Sequence, residues 1–417
     1  MGKGVYIIQL DNQQGVFYPG QIVAGRVELQ LEKETKARAI YLEFHGFSEV
    51  HWTETRRTKN GSHTKHYRND ETYFRQKISL FGKEQTGQDE TKLQPGSYAY
   101  PFAIQLPPNI PSSYEARIGR VRYMLKSYID IPWGFDKQTK RMITVVNLFD
   151  LNTRPETVNG ATCSDQKTLC CLCCESDPIS ATVTIDRTGY VPGEAVPFRA
   201  EINNQSNREM TCSKAQLNMV VSYHARSKTR RVTNTLNELR HGNIEGGGTD
   251  QWSNERLHIP AVPPSYLLGC NIIDIKYFLT IVVDPSGIGF DLNVPVEVVI
   301  GSIPLATIAQ QHGFVLPTAP TAPPPKEGLN PNPNPAFPPP PPGAPSGLYG
   351  DAFMPQNQPN VTMAESAFGR MSTKEDGDTQ DTSGATDFAP VYTYYNWDKP
   401  DPNNTYSIHM DEGNITN

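Results

Sequence analysis

No apolar run in this 417-residue chain approaches the ~20 residues that a membrane-spanning helix needs. The best candidate, residues 277–283, is short and closely follows Asp274 and Lys276. The opening Met1-Gly2-Lys3-Gly4-Val5-Tyr6 has no long apolar core behind it, which argues against a secretory leader. It also places Tyr6 where an N-myristoylation site carries Ser or Thr. A large excess of one charge is missing too. Lys+Arg number 38 and Asp+Glu 44, a net of −6, and a dedicated nucleic-acid binder would instead show a basic surplus. Cysteine is scarce: seven residues, an odd number bunched in one place, do not make a secreted disulfide framework. The Asn-x-Ser/Thr triplets at Asn60, Asn360 and Asn414 therefore read as chance matches, and a cytoplasmic protein is expected.

Catalytic signatures are lacking as well. There is no Gly-x-Ser-x-Gly elbow, no His-Glu-x-x-His, no phosphate-binding loop and no dinucleotide fingerprint. Gly246-Gly247-Gly248 is not followed by Lys-Ser/Thr, and the histidines are scattered singly. The expectation is a protein without catalytic residues, cofactor or metal.

Proline and charge divide what is there. Residues 302–417 hold 20 of the 36 prolines and none of the cysteines, with 4 basic against 12 acidic side chains. The preceding part is close to neutral. A stretch so poor in apolar runs cannot bury enough area to offset the entropy of ordering it, so a disordered acidic tail is expected over 304–417.

The remainder repeats itself. Pro19-Gly20-Gln21-Ile22-Val23 and Pro192-Gly193-Glu194-Ala195-Val196 coincide at an offset of 173, with Arg26/Arg199 and Glu28/Glu201 in step. Val121-Arg122-Tyr123-Met124-Leu125 lines up with Ile275-Lys276-Tyr277-Phe278-Leu279, and upstream Pro111-Ser112-Ser113-Tyr114 faces Pro263-Pro264-Ser265-Tyr266. Two landmarks in the same order indicate tandem domains. Both read as β. From Arg26 to Glu32 polar residues alternate with Val27, Leu29 and Leu31, the period of two that a half-buried strand needs. Turn clusters punctuate such runs, and no long amphipathic helix interrupts them, which predicts two all-β antiparallel sandwiches. The boundaries fall at 1–150, a linker at 151–178, 179–303, and the tail.

The linker carries Cys170-Cys171-Leu172-Cys173-Cys174. Its interleaved Cys-x-x-Cys pairs are compatible with zinc, although no second pair follows at finger spacing. Cysteines beside Lys167 also suit reversible S-acylation, and plain packing of reduced thiols is the third reading.

Taken together, the tandem Pro-Gly-Gln/Glu repeats, Ile110-Pro111-Ser112-Ser113-Tyr114, Val121-Arg122-Tyr123 and the Cys-rich linker leading into Pro178-Ile179-Ser180 resemble an α-arrestin, an arrestin-domain-containing protein. The resemblance covers residues 5 to about 303 and implies two side-by-side sandwiches of seven to eight strands. It also implies a non-catalytic adaptor that docks on cytoplasmic segments of membrane receptors or transporters. Such adaptors recruit WW-domain HECT ubiquitin ligases through Pro-Pro-x-Tyr motifs in the tail, at the plasma membrane and endosomes. The sequence departs from that pattern. Its literal Pro-Pro-x-Tyr, Pro263-Pro264-Ser265-Tyr266, matches the first repeat and so belongs to the sandwich. The tail offers Ala389-Pro390-Val391-Tyr392, resembling a degenerate second motif with Ala389 in the first proline position. A preformed polyproline segment docks at little entropic cost, so Pro390 and Tyr392 are the expected WW ligand.

Two further elements point to partners. Phe337-Pro338-Pro339-Pro340-Pro341 suits a polyproline-binding domain, which would make the chain a trafficking or cytoskeletal scaffold without ligase coupling. Two basic stretches, Arg56, Arg57 and Lys59, then Arg226, Lys228, Arg230 and Arg231, could hold phosphorylated cargo or anionic lipid by charge-assisted bonds, or be solvated hairpin ends.

Overall fold

Alternation of apolar and polar side chains becomes alternation of burial. In the strand Ile22–Leu31, Val23, Val27, Leu29 and Leu31 point inward while Arg26 and Gln30 stay exposed. A computed structural model describes residues 5–59, 61–82, 92–132, 136–168, 177–226, 228–287, 290–312, 360–374, 378 and 382–397, with backbone only at 91, 170–171 and 174–175.

The chain forms two sandwiches. In the first, Tyr6–Leu10, Ile22–Leu31 and Gly96–Gln105 make one sheet. The facing sheet runs Val16–Phe17, Lys137–Val145, Gly119–Asp130, Ala39–Thr58, Gly61–Phe81. The second sandwich pairs Ala161–Lys167, Ile179–Ile185, Ala195–Asn204 and Thr249–His258. Its other sheet runs Gly189–Tyr190, Leu292–Ile300, Ile273–Pro285, Met210–Ala225, Lys228–His241.

The two five-strand paths have the same order, and each begins with a short parallel pairing: Val16 and Phe17 on Thr144 and Val145, Gly189 and Tyr190 on Val299 and Ile300. The repeat seen in the sequence is thus a repeat of topology. Equivalent side chains even do the same work. Tyr123 Oη donates to the Pro111 carbonyl at 2.7 Å, and Tyr277 Oη to the Pro263 carbonyl at 2.6 Å. Ser113 Oγ accepts from Val145 N at 2.9 Å, and Ser265 Oγ from Ile300 N at 2.8 Å.

The sandwiches meet along a buried seam. Tyr114 and Tyr223 share a 2.8 Å hydroxyl–hydroxyl bond, Asn69 Nδ2 donates to the His224 carbonyl, and Phe149 N donates to Ser302 Oγ at 2.6 Å. One hydrophobic cluster runs through both halves.

The expectation of a disordered tail over 304–417 divides here. Residues 313–359, including Phe337 to Pro341, and 398–417 lie outside the described residues. The short helix Ala306–Gln311 packs Ala309 inward, however, and residues 360–374 and 382–397 return to the body as strands. Val361–Glu365 pairs antiparallel with Val391–Tyr395, and Thr382–Gly384 lies parallel to Lys137–Val145. The tail has too little apolar surface to fold by itself, but Val361, Phe368, Tyr392 and Tyr395 bury against surface the sandwiches supply. Average composition conceals such a segment.

Candidate functional site: the tail seat and the basic hairpins

The groove between the sandwiches is lined by apolar residues from both: Phe149 and Leu151 with Val191 and Val299 form one cluster that takes in Val361 and Tyr395 from the tail. Val16, Tyr18 and Val146 form a smaller one against Met363 and Val391. The expected WW motif lies here. Ala389, Pro390 and Tyr392 are buried and Val391 is half-buried. Tyr392, 2% exposed, donates its hydroxyl to the Ser113 carbonyl at 3.0 Å. Tyr395, equally buried, donates to the Ser302 carbonyl of the second sandwich at 2.8 Å. Burial holds both phenols well above the usual tyrosine range, since a phenolate would lose its water.

The backbone is tied down as well. Pro390 O accepts from Ser366 N at 2.8 Å, Val391 N donates to Thr144 Oγ1 at 3.3 Å, and Tyr395 N donates to the Pro192 carbonyl at 3.1 Å. Gly193 shows how close this approach is. Its φ of +96° is a turn conformation like that of Gly20 at the equivalent position (φ +84°), and a Cβ on Gly20 would meet nothing. A Cβ on Gly193 would fall 2.0 Å from the Tyr395 carbonyl oxygen. The repeat keeps the turn, and among the described residues the tail packs on the Gly193 copy and not on the Gly20 copy.

Upstream, cations of the first sandwich hold the returning chain. Arg122 is wholly buried, pairs with Glu115 at 2.6 Å, and donates from Nη2 to the Ser372 carbonyl at 2.7 Å. Lys140 Nζ donates to the Thr373 carbonyl at 2.6 Å and forms an ion pair with Asp378, which Lys126 approaches at 3.5 Å. A cleft of about 580 Å³ borders this region, with Arg68, Arg117, Arg120, Lys126 and the tail's Lys374 on its walls. Sequence reasoning did not single out Arg122, Glu115, Lys140 or Asp378 as a site. The available signal was a lone arginine inside the apolar run from Val121 to Leu125, a charge that cannot be buried without a partner.

The basic stretches occupy hairpin ends. Arg56, Arg57 and Lys59 are exposed at the tip joining Ala39–Thr58 to Gly61–Phe81. Arg226 and Lys228 flank the turn between Met210–Ala225 and Lys228–His241, where Arg230 is half-buried and Arg231 exposed. The two hairpins, about 170 residues apart in sequence, come together. Lys228 Nζ reaches Glu54 Oε2 at 2.6 Å, and Lys228 and Lys65 lie 5.2 and 5.0 Å from the Tyr67 ring centre. A shallow cavity of about 360 Å³ runs between Lys65, His66, Arg68 and Arg226. The spacing along the chain gave no hint of this convergence.

Pro263-Pro264-Ser265-Tyr266 belongs to the sandwich as expected, with the Pro263 carbonyl bonded to Tyr277 and Tyr266 Oη donating to Glu297 at 3.2 Å. Burial and the Glu297 carboxylate push the Tyr266 phenol up to about 12. For the linker, Cys171 faces Cys174 across a small backbone hairpin. The side chains of Cys170, Cys171, Cys173 and Cys174 lie outside the described residues. Among the described residues no group of three or more His, Cys, Asp or Glu is placed to hold a metal, and no helix is long and apolar enough to cross a membrane.

Comparison with known proteins bears on this architecture. The arrestin (or S-antigen) N-terminal domain profile matches residues 6–152, and the C-terminal domain profile matches 175–305. Arrestin domain-containing protein 4 of Homo sapiens is 30% identical over 77% of this chain and 80% of its own length. Arrestin domain-containing protein 17 of Caenorhabditis elegans is 29% identical over 71% of this chain and 70% of its own. Thioredoxin-interacting protein of Homo sapiens is 28% identical, covering 67% and 70%. With both domain profiles matched in order, on two sandwiches of repeated topology, the chain belongs to the arrestin family, among its arrestin domain-containing or α-arrestin members.

Proposed function

We propose that this α-arrestin is a non-catalytic adaptor that links membrane cargo, receptors or transporters, to WW-domain HECT ubiquitin ligases for ubiquitination, endocytosis and endosomal sorting. The observation that carries the reading is a two-sandwich arrestin body whose tail bears Pro390 and Tyr392 at the spacing a WW groove accepts. The converged hairpins supply its anion-binding face, with Arg56, Arg57, Lys59, Arg226, Lys228, Arg230 and Arg231 turned toward phosphorylated cargo segments or the anionic lipid of the plasma membrane and endosomes. S-acylation of the cysteines at 170, 171, 173 and 174 would add reversible attachment to the same membranes. A residue-384–397 peptide is expected to bind HECT-ligase WW domains in about the micromolar range, and Tyr392→Ala to abolish that binding. A peptide that binds none of them would end the ligase reading.

A second reading is favoured by the burial of Tyr392. The chain would then be a trafficking or cytoskeletal scaffold without ligase coupling, whose contacts run through Phe337 and Pro338 to Pro341 to a polyproline-binding domain. Titration of a peptide spanning residues 334–345 against such domains separates the two.

A further inference from the structure

A WW domain reads an extended polyproline segment whose backbone makes no ladder and whose proline and tyrosine rings enter an aromatic groove. Pro390 and Tyr392 are in the opposite condition here. Tyr392 lies in the strand Val391–Tyr395, paired with Val361–Glu365 in register with Ala364, Pro390 directly precedes that strand, and both side chains are buried. The Tyr392 hydroxyl and the Pro390 carbonyl are already spent on Ser113 and Ser366. No geometry lets a ring sit in both places.

We propose that the groove between the sandwiches is a binding site for the tail segment around Pro390, Tyr392 and Tyr395, and that this site and a WW domain compete for the same residues, so that ligase engagement requires release of the tail. The ligase half rests on the function proposed above; the seat itself does not. Three features mark a built site. Its ends are polar and specific, because the carbonyls of Ser113 and Ser302, one from each sandwich, accept the two tyrosine hydroxyls. Its floor fits backbone: at Gly193 the chain passes so near that any side chain would collide with Tyr395. Its approach is clamped by charge, with Asp378 against Lys140 and Lys126. A site made of both sandwiches also senses how they sit, since Tyr395 leaves its partners if Ser302 and Pro192 move relative to Ser113 and Thr144.

A tethered segment meets its seat at an effective concentration of about millimolar, so modest contacts suffice to keep it docked. The apparent affinity for a WW domain is then reduced by the fraction of chains with the tail released. The expected result is that full-length protein binds a HECT-ligase WW domain at least about tenfold more weakly than the 384–397 peptide. Val361→Asp should restore most of that affinity. Val361 is buried beside Tyr395 but lies outside the motif, so this change opens the hairpin without touching what the WW domain reads. Asp378→Asn should restore part of it.

Full-length protein that binds as tightly as the peptide would overturn masking, and so would a Val361→Asp protein as weak as the wild type. Amide hydrogen exchange of residues 391–395 in the full chain tests the seat without any ligase. Slow exchange that becomes fast in Val361→Asp is expected. Wild-type amides exchanging at the rate of the free peptide would remove the seat altogether. A peptide that binds no WW domain, together with slow exchange in the full chain, would instead retain the seat and discard the ligase reading.

Discussion

Arg122 carries a full charge into the first sandwich and is matched there by Glu115, with both side chains essentially without solvent contact. Such a pair contributes little net stability over an apolar pair, but removing one partner strands the other. Arg122→Ala is therefore expected to cost about 3–5 kcal/mol in chemical denaturation, and Arg122→Met combined with Glu115→Gln to recover much of that loss. A cost near zero for the single change would mean that Glu115 finds water or another cation. His45 makes a different prediction. It stacks on Phe47 with ring centres 4.6 Å apart, and its Nε2 is buried without a hydrogen-bond partner. Burial first, and the nearby Arg75 second, lower its affinity for a proton below the ordinary value of 6.5. As pH falls below that value the unfolded chain takes up a proton that the folded chain resists, so the stability His45 contributes is present above about 6.5 and declines as pH drops toward the lowered value. His45→Gln should flatten that slope, read as the difference between melting temperatures at about pH 7.5 and pH 5.5.

Strands were the most legible elements, because alternation is local and Val23, Val27 and Leu29 report their own burial. The motif Pro263 to Tyr266 was legible too, through its match with Pro111 to Tyr114. Its role can be tested at the element scale. Tyr277 ties its strand to the Pro263 carbonyl, as Tyr123 ties its own to Pro111, a tyrosine-to-backbone stitch common in β-sandwiches. Tyr277→Phe leaves that buried carbonyl unpaired and should lower stability by about 1–3 kcal/mol, with Tyr123→Phe equivalent. Tyr266→Ala, in contrast, should leave any WW binding by the full chain unchanged in a direct titration. The returning tail strands were not legible. Val361 and Tyr395 bury their side chains on surface made by Phe149, Val191 and Val299, and a segment that borrows its core shows no periodic signal of its own. Acid and amide residues around it dilute the few aromatics that matter.

Arrangement of the whole molecule brings Lys65 and Arg68 on one hairpin together with Arg226 and Lys228 on the other, and a single basic face extending to both tips is the arrangement to test. Each alone resembles a solvated turn, and the contact joining them, Lys228 with a half-exposed Glu54, is worth little by itself. What joins them is the seam of Tyr114 with Tyr223 and Asn69 with His224, set by how the sandwiches pack. Charges within a Debye length, about 8 Å at physiological salt, act together on an anionic partner, whereas separate patches act independently. Vesicles with roughly a quarter anionic lipid provide the probe, at about 1 kcal/mol per basic residue near the surface. Reversing Arg56 and Arg57 to Glu should weaken co-sedimentation by on the order of tenfold or more, and reversing Arg230 and Arg231 should do the same. The informative variant reverses both pairs. On a single face its binding falls to that of neutral vesicles and loses its salt dependence. If one hairpin alone accounted for all the binding, the convergence around Tyr67 would be a packing contact between domains, and the anion-binding role would belong to that hairpin only.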